Sequence, residues 1–414
     1  MVASTVVYRE RDFPVLLACR FLSTIAMQVL SVALGWQVYD LTRSPLALGL
    51  VGLCEFAPMF LLILPAGDLA DRTDPRRVYT ASLLALAICG ALLFVNALAA
   101  TRLVWPYFAL LVAIGAARGC AGPSSQSLVS FIVAPEILPR SIAWNSSTMQ
   151  VAVIIGPALG GMLYAFGPAA AYGTMAACLL AAALGIATLG GRRRAPGSGS
   201  DAPFAARIAE GITFVRHRRV ILGAISLDLF AVLLGGATAL LPIFARDLLH
   251  VGPLGLGLLR SAPAVGAAFM AASLGRKPLE RHVGSRMFAA VAIFGVATIV
   301  FGLSHNFYLT LASLVVLGAS DMVSVNVRHS LVQLATPDAM RGRVSAVSVL
   351  FIGASNELGE FESGVTAAWF GTIPAVVIGG LGTLAVVALW MQLFPALRRI
   401  DRFADASLLK SAPA

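Results

Sequence analysis

The feature that most constrains this chain is a set of long runs without a charged side chain: Val78 to Thr101, Ser141 to Gly191, Met287 to Ser320 and Ser363 to Leu397. A helix needs ~20 mostly apolar residues to cross a bilayer. The first run supplies one crossing, and the others, each broken by a Gly, Pro, His or Asn, reach into more than one. Of the 414 residues 58% are hydrophobic and 12% charged, against ~45–50% and ~25% in soluble domains. A water-soluble fold is excluded, because it could not hide that much apolar surface. A cleaved leader is not expected either: the first apolar stretch is long, contains Arg20 and is followed by more spans.

Five cysteines (Cys19, Cys54, Cys89, Cys120, Cys178) lie in apolar stretches with no CxxC pair. They read as small packing residues, and no metal site or cofactor is expected. The net charge of +10 is almost all arginine, since only Lys277 and Lys410 are lysines. Neither lies in GxxxxGK[ST], and HExxH and GxSxG are absent, so nothing points to an ATPase, a zinc protease or a serine hydrolase. In a chain this apolar the basic excess reports membrane orientation rather than nucleic-acid binding.

Apolar runs read against Gly, Pro and charge punctuation predict twelve spans. They lie near 15–38, 46–66, 78–100, 104–129, 142–165, 168–190, 220–243, 254–274, 287–304, 307–329, 344–366 and 372–394. The N-terminus, the connections near 67–77, 130–141, 191–219, 275–286 and 330–343, and the tail together hold 23 Lys and Arg; the opposite side holds Arg43, Arg102 and Arg246. The positive-inside rule then places both termini in the cytoplasm of, by expectation, a bacterial inner membrane.

The expected organisation is an N-terminal six-helix bundle over 1–190, a cytoplasmic linker over 191–219, a second bundle over 220–396 and a cytoplasmic tail over 397–414. The linker opens with Arg192-Arg193-Arg194 and a Gly/Ser/Pro stretch. Phe204, Ile208, Ile212 and Val215 then recur at helical spacing, with Arg207, Glu210 and Arg218 between or beyond them. This predicts an amphipathic helix on the cytoplasmic membrane face, held by anionic lipid.

The two halves repeat. A shift of 208 lays Gly49 on Gly257 and Gly67 on Gly275; a shift of 203 lays Ser127-Leu128-Val129 on Ser330-Leu331-Val332 and Arg140 on Arg343. Pro135-Glu136 and Pro337-Asp338 correspond within one residue, and Asp71-Arg72 falls one residue from Glu280-Arg281. Duplicated bundles of this kind place a site near the bilayer midplane, at the repeat interface.

After the second span comes Gly67-Asp-Leu69-Ala70-Asp71-Arg72-Thr-Asp74-Pro75-Arg76-Arg77. It resembles the loop motif GxLaDRxGRK of the major facilitator superfamily, departing from it at Asp74 and Pro75, where the family prefers Gly and Arg. The departure implies a differently shaped turn. The resemblance implies that Gly67, Asp71, Arg72 and Arg76 belong to a conformational latch on the cytoplasmic side; a charged turn at the interface is the plainer account. Gly156-Pro157-Ala-Leu-Gly160-Gly161 in the fifth span resembles the antiporter-associated GPxxGG motif, and small residues there let helix backbones approach. Glu210-Gly211, and Pro337-Asp338 before Arg343, are similar to the enterobactin-exporter and drug-efflux branch. The implied fold is an all-α membrane protein, twelve transmembrane helices in two pseudo-symmetric six-helix bundles.

Six acids lie within the spans, Glu55, Asp228, Asp321, Glu357, Glu360 and Glu362, together with Arg20, Arg118, Arg260 and Arg328. Against lipid each charge at a helix centre costs ~2.5–3.5 kcal/mol on insertion scales, so these side chains are expected to face a cavity or one another. Arg260, near a span end, has snorkelling as an alternative. Glu357 and Glu360 share a helix face, and their repulsion favours holding a proton. The resemblance implies that spans one, four, seven and ten line the cavity, which brings in Arg20, Arg118, Asp228 and Asp321. Glu55, Asp228, Asp321, Glu357 and Glu360 are the candidate proton-coupling acids. Arg20, Gln28, Arg118, Asp321 and Asn356, polar positions on spans one, four, ten and eleven, are the candidate substrate-binding residues. A structural ion-pair network competes with both roles at every position, and His329 reads as an ordinary interfacial residue.

The function expected is secondary active transport, proton-coupled export of a small amphipathic drug or siderophore by alternating access. A metabolite uptake porter, a transport-inactive sensor and a membrane enzyme are the alternatives. The expected partners are a small-molecule substrate, protons and membrane lipids, with no nucleic acid, no cofactor and a monomeric state.

Overall fold

The computed structural model describes residues 12–133, 137–190, 204–337 and 340–408, and all regular structure among them is helical. Pro135, Glu136, Asp338 and the basic opening of the linker lie outside the described residues. In order, the first helices are α1 (Asp12–Thr42), α2 (Pro45–Arg72), α3 (Pro75–Leu98), α4 (Trp105–Ile132), α5 (Leu138–Ala165) and α6 (Pro168–Thr188). They are followed by α7 (Phe204–His217), α8 (Arg219–Leu234), α9 (Gly252–Arg276), α10 (Val283–Leu303), α11 (Phe307–Ala335), α12 (Arg341–Phe370) and α13 (Thr372–Leu393). Proline occupies the first or second position of α3, α4, α5, α6 and α9, where its missing N–H is lost to no intrahelical bond. Asp74 caps α3 through the Arg76 N–H, and Asn306 caps α11 through the N–H groups of Tyr308 and Leu309.

Eleven segments among the described residues are long and apolar enough to cross a membrane. Of the labelled helices α7 and α12 lie outside that set; α7 has 14 residues and α12 has 30. The predicted eleventh span is α12, and Arg341, Arg343, Glu357, Glu360 and Glu362 make it less apolar than the others. The seventh span differs from its expected form. Regular helix stops at Leu234; after Gly235 and Gly236 the chain continues as a 3₁₀ turn (Ala237–Leu240), a short α segment and a π-helical turn (Phe244–Leu248). A Cβ on Gly235 would come within 2.6 Å of the Phe294 ring, and one on Gly236 would strike the backbone of Gly359. Glycine is therefore required on both sides of the break, which lets α10 and α12 pack against it.

Contacts divide the chain into two units, Met1–Leu41 with Cys54–Phe204, and Thr42–Leu53 with Ala205–Ala414. In the first unit α3 packs on α6 and α4, with Gly90 against Ala176. α5 closes on α1 where a Cβ on Gly160 would come within 2.9 Å of the Val29 Cα. In the second unit α10 packs on α11 and α13, and α9 on α11. Its core is built from Leu227, Met287, Phe288, Val327, Leu331, Trp390 and their neighbours. The first residues of α2 join this unit: a Cβ on Gly49 would sit 3.0 Å from the Phe361 carbonyl and one on Gly364 2.7 Å from the Gly49 Cα.

The linker helix forms as α7, but its apolar face is not left open to lipid. Ile208 and Val215 are buried, and Ile212 and Val215 line a small apolar hollow with Leu222 and Ile225 of α8 and Val347 of α12. The expectation of a helix resting on lipid headgroups is corrected on this face, because protein apolar surface was available to cover it. Glu210 pairs with Arg343 at 2.9 Å, and Gly211 lets α7 approach the Arg343 carbonyl, which a Cβ would meet at 2.8 Å. The side chains of Phe204 and Arg207 lie outside the described residues.

Candidate functional site

The membrane charges of the first unit are held by interhelical contacts. Arg20 on α1 donates to the Ser125 carbonyl on α4 at 3.1 Å, and one turn along α1 the Ser23 and Tyr79 hydroxyls share a hydrogen bond at 3.2 Å. Arg118 on α4 forms an ion pair with Glu55 on α2. The two helices approach closely here because Gly115 lies against the Glu55 carbonyl and a Cβ on it would meet the Pro58 ring at 2.8 Å. Gln28 carries its side-chain stem against Gly156, so the GPxxGG segment packs α5 on α1, with Pro157 inside the helix and Gly161 buried.

In the second unit Asp228 on α8 forms an ion pair with Arg328 on α11; their side chains are 9% and 5% exposed. Asp321, two turns before Arg328 on α11, lines a small cavity with Asp228, Ala231, Val232, Val291, Phe294 and Ser324. Among the described residues no hydrogen bond or ion pair reaches Asp321. Glu357 and Glu360 do share a face: a Cβ on Gly52 would sit 3.4 Å and 3.2 Å from their carboxylate oxygens. Arg260 on α9 lies 3.9 Å from Glu360 and is 21% exposed. Of the two expectations for Arg260, a charge partner and snorkelling, the structure supplies the first: it has a carboxylate to meet inside the unit. Asn356, on the same helix as Glu360, is exposed. Glu362 accepts a hydrogen bond from Thr366 at 2.8 Å.

The repeat explains which residues meet. The shift of 208 lays Arg20 on Asp228 and the shift of 203 lays Ser125 on Arg328, so the α1–α4 contact and the α8–α11 contact occupy equivalent positions. The shift of 203 also lays Gly115 on Gly318 and Arg118 on Asp321; Gly318 packs on the Pro263 backbone much as Gly115 packs beside Pro58. Arg260 lies 205 residues after Glu55. That spacing was the available signal for Arg260, whereas nothing in the sequence marked Gly52 or the Gly235-Gly236 break as part of the site.

At the cytoplasmic motif, Gly67, Asp71 and Arg72 fall in the last turns of α2, where the backbone is helical but the side chains lie outside the described residues. Arg76 is tied down within the first unit: it meets the Asp74 carboxylate at 2.7 Å and 3.2 Å and donates to the Leu189 carbonyl at the end of α6. Burial alone would raise the Asp74 pKa, but hydrogen bonds from the Arg76 side chain and N–H and the charges of Arg76 and Arg77 hold it below its usual value. The motif's departures thus have a structural use. Asp74 supplies the cap and Pro75 the first helical residue of α3, with extended backbone at φ −68° in place of a glycine turn.

Among the described residues no cluster of His, Cys, Asp and Glu is arranged to hold a metal ion. The chain is 26% identical over 397 residues to the enterobactin exporter EntS of Citrobacter koseri, covering 94% of this chain and 92% of that one. It is 25% identical over the same length to EntS of Escherichia coli, with the same coverage. The fold matches a bacterial homologue of the human lysosomal transporter Spinster in an inward-facing, occupied conformation, with a TM-score of 0.71, 15% identity and coverage of 98% and 99%. It also matches the nucleoside transporter NupG, with a TM-score of 0.67, 15% identity and coverage of 92% and 98%. The solved structures show the fold, that of the major facilitator transporters; with eleven described segments apolar enough to cross a membrane and the family match that follows, the chain is an integral membrane transporter, not an enzyme. Residues 3–412 match the transmembrane secretion effector family MFS_3, and the chain belongs to that family.

Proposed function

We propose that this transporter exports a small amphipathic compound, a drug or siderophore, in exchange for protons, by alternating access, with enterobactin as the first cargo to test. The observation that carries the reading is the correspondence with exporters of enterobactin, which runs through both halves of the repeat. Proton exchange is supported by carboxylates placed at bilayer depth between helices, Glu55, Asp228, Asp321, Glu357 and Glu360, where lipid or dry protein penalises an unbalanced charge. Arg20, Gln28, Arg118, Asp321 and Asn356 are the groups proposed to meet cargo. Gly67, Asp71, Arg72 and Arg76 are proposed as the cytoplasmic latch, with Arg76 acting through Asp74 and the end of α6. The protein works as a monomer in a bacterial inner membrane, both termini cytoplasmic, with the basic linker near anionic lipid.

The test is accumulation of enterobactin in the medium of a bacterial strain that makes it but lacks its own exporter. Expression of the chain is expected to restore secretion, and dissipating the pH gradient to abolish it. Secretion unchanged by expression would remove the siderophore cargo, and inward accumulation of a labelled compound would favour the uptake alternative. Secretion that survives loss of the pH gradient would remove the coupling to protons.

A further inference from the structure

We propose that Asp228, Asp321 and Arg328 form a single proton-binding site in the second unit, with Arg328 as the positioning residue that decides which carboxylate carries the charge. The inference deepens the proton-coupled reading, and depends on it only for what the bound proton is used for.

Asp228 and Asp321 open onto the same cavity, whose volume of about 10 Å³ lies at the lower edge of the ~10–15 Å³ that one water needs. The other walls are Ala231 and Val232 of α8, Val291 and Phe294 of α10, and Ser324 of α11; no cation lines the cavity, and Arg328 reaches the cluster through its ion pair with Asp228. With all three groups ionised the cluster carries one net negative charge, with Asp228 and Arg328 buried and Asp321 half-buried. Such a charge is expensive to maintain, and one bound proton cancels it. A proton held between two carboxylates belongs to the pair rather than to either residue.

Charges on the neighbouring elements are engaged elsewhere. Arg260 of α9 is directed to Glu360, Glu357 and Glu360 of α12 lie against Gly52, and His329, next to Arg328, is exposed. On α13 the Thr383 hydroxyl is committed to the carbonyls of Ala231 and Gly379.

The other half of the repeat shows what a balanced version looks like. At the positions of Asp228 and Asp321 it carries Arg20 and Arg118. Arg118 is neutralised by Glu55, and Arg20 is bonded to a carbonyl. The second half has inverted both charges and supplied one guanidinium, Arg328, at the position of Ser125. Arg328 lies two turns from Asp321 on one helix and already holds Asp228, so a shift of its side chain along α11 exchanges one partner for the other. The carboxylate it leaves takes the proton.

The test uses the full chain in phosphatidylethanolamine and phosphatidylglycerol nanodiscs, with infrared titration of the protonated-carboxyl carbonyl band. Carboxyl-¹³C aspartate labelling separates Asp from Glu. Wild type is expected to show an aspartic-acid band that titrates as one proton. Asp228→Asn and Asp321→Asn should each abolish it, since the remaining acid is balanced by Arg328. Arg328→Lys should keep the band, and Arg328→Gln should move its midpoint upward by about one pH unit or more. If Arg328→Gln does not fold, Asp228→Asn with Arg328→Gln leaves Asp321 without a cation and should show the same upward movement. Absence of the aspartic-acid band in wild type, or a band unaltered in all of these variants, overturns the proposal. A separate measurement, ethidium efflux from proteoliposomes driven by a pH gradient, addresses the coupled reading: efflux indifferent to the gradient beside a titrating band would sink the coupling and leave the site standing.

Discussion

Asp228 and Arg328 join α8 to α11 at the two positions that the internal repeat assigns to Arg20 and Ser125, which join α1 to α4. One interhelical clamp has been kept in both halves while its chemistry changed from a guanidinium on a carbonyl to a buried ion pair. Removing one partner of a buried pair commonly costs ~3–5 kcal/mol, because the other is left uncompensated. Here the loss should be unequal. On the proposed exchange Asp321 takes the place of Asp228 as the partner of Arg328, whereas no cation lines the cavity to replace Arg328. Arg328→Ala is therefore expected to lower the thermal midpoint of the detergent-solubilised protein by several degrees more than Asp228→Ala. Equal losses would show that Asp321 does not reach Arg328.

Close helix approach in the first unit rests on Gly115, whose Cβ would collide with the α2 backbone at Glu55. Gly122, two turns on in α4, has nothing within 4 Å of that position. The two glycines should respond oppositely to the same substitution. Gly115→Ala forces α2 and α4 apart and should cost ~1–3 kcal/mol as overpacking, loosening the Glu55–Arg118 pair. Gly122→Ala gains helix propensity of ~0.5–1 kcal/mol with no clash. Folded yield from size-exclusion profiles distinguishes them, and a loss at Gly122 equal to that at Gly115 would refute the packing account.

The Asp74 cap makes a prediction about pH. Its carboxyl is held below its usual range in the folded protein, chiefly by Arg76 acting against burial. The folded state therefore binds that proton less readily than the unfolded chain. Stability from this group is fully present above the unfolded carboxylate pKa of ~3.9 and is lost as pH falls through the lower folded value. Asp74→Asn should lower the unfolding midpoint at neutral pH and weaken its fall over the acid range. Asp74→Ala, which also removes the cap acceptor, should cost ~0.5–2 kcal/mol. An identical acid profile for Asp74→Asn and wild type would separate the cap from the ion pair.

Span existence is legible because apolar runs of crossing length have few alternatives, and the repeat is legible because glycines and arginines recur at fixed offsets. Pairing is less so. The equivalence of Arg118 and Asp321 follows from the shift of 203, but pairing does not: Arg118 meets Glu55, whereas Arg260, 205 residues after Glu55, meets Glu360 rather than Asp321. The break after Leu234 leaves no hydropathy signature, because the residues beyond Gly235-Gly236 are as apolar as those before. The apolar face of α7 is legible as a face; which surface covers it depends on Val347 and Ile225, distant in sequence. Asp74 and Pro75 register as departures from a motif, and only the backbone shows that they cap and start a helix.

The proposed orientation rests on the placement of 23 Lys and Arg on one set of connections and three on the other. Single cysteines at Ser198 and at Ser407, with the five native cysteines replaced, should resist an impermeant thiol reagent applied to intact cells and react after permeabilisation. A cysteine at Arg102 should label from outside. Ready labelling at either serine position in intact cells would invert the topology and, with it, the side assigned to the Asp71 and Arg76 motif.

The coupling acids can be divided by substitution. Glu357 and Glu360 converge on Gly52 from one face of α12, and Glu360 is 3.9 Å from Arg260. Gln at either position mimics the protonated form of the acid it replaces. If this pair carries the transported proton, Glu357→Gln or Glu360→Gln should bind ethidium as wild type does in proteoliposomes but lose the acceleration produced by an imposed pH gradient. Arg260→Gln should instead shift the pH at which that acceleration is half-maximal, because it removes the cation without removing either acid. Should both single variants and the double variant respond to the gradient as wild type does, α12 is structural and the proton is carried at Asp228 and Asp321. In that case Asp321→Asn should abolish the response that the glutamine variants retain.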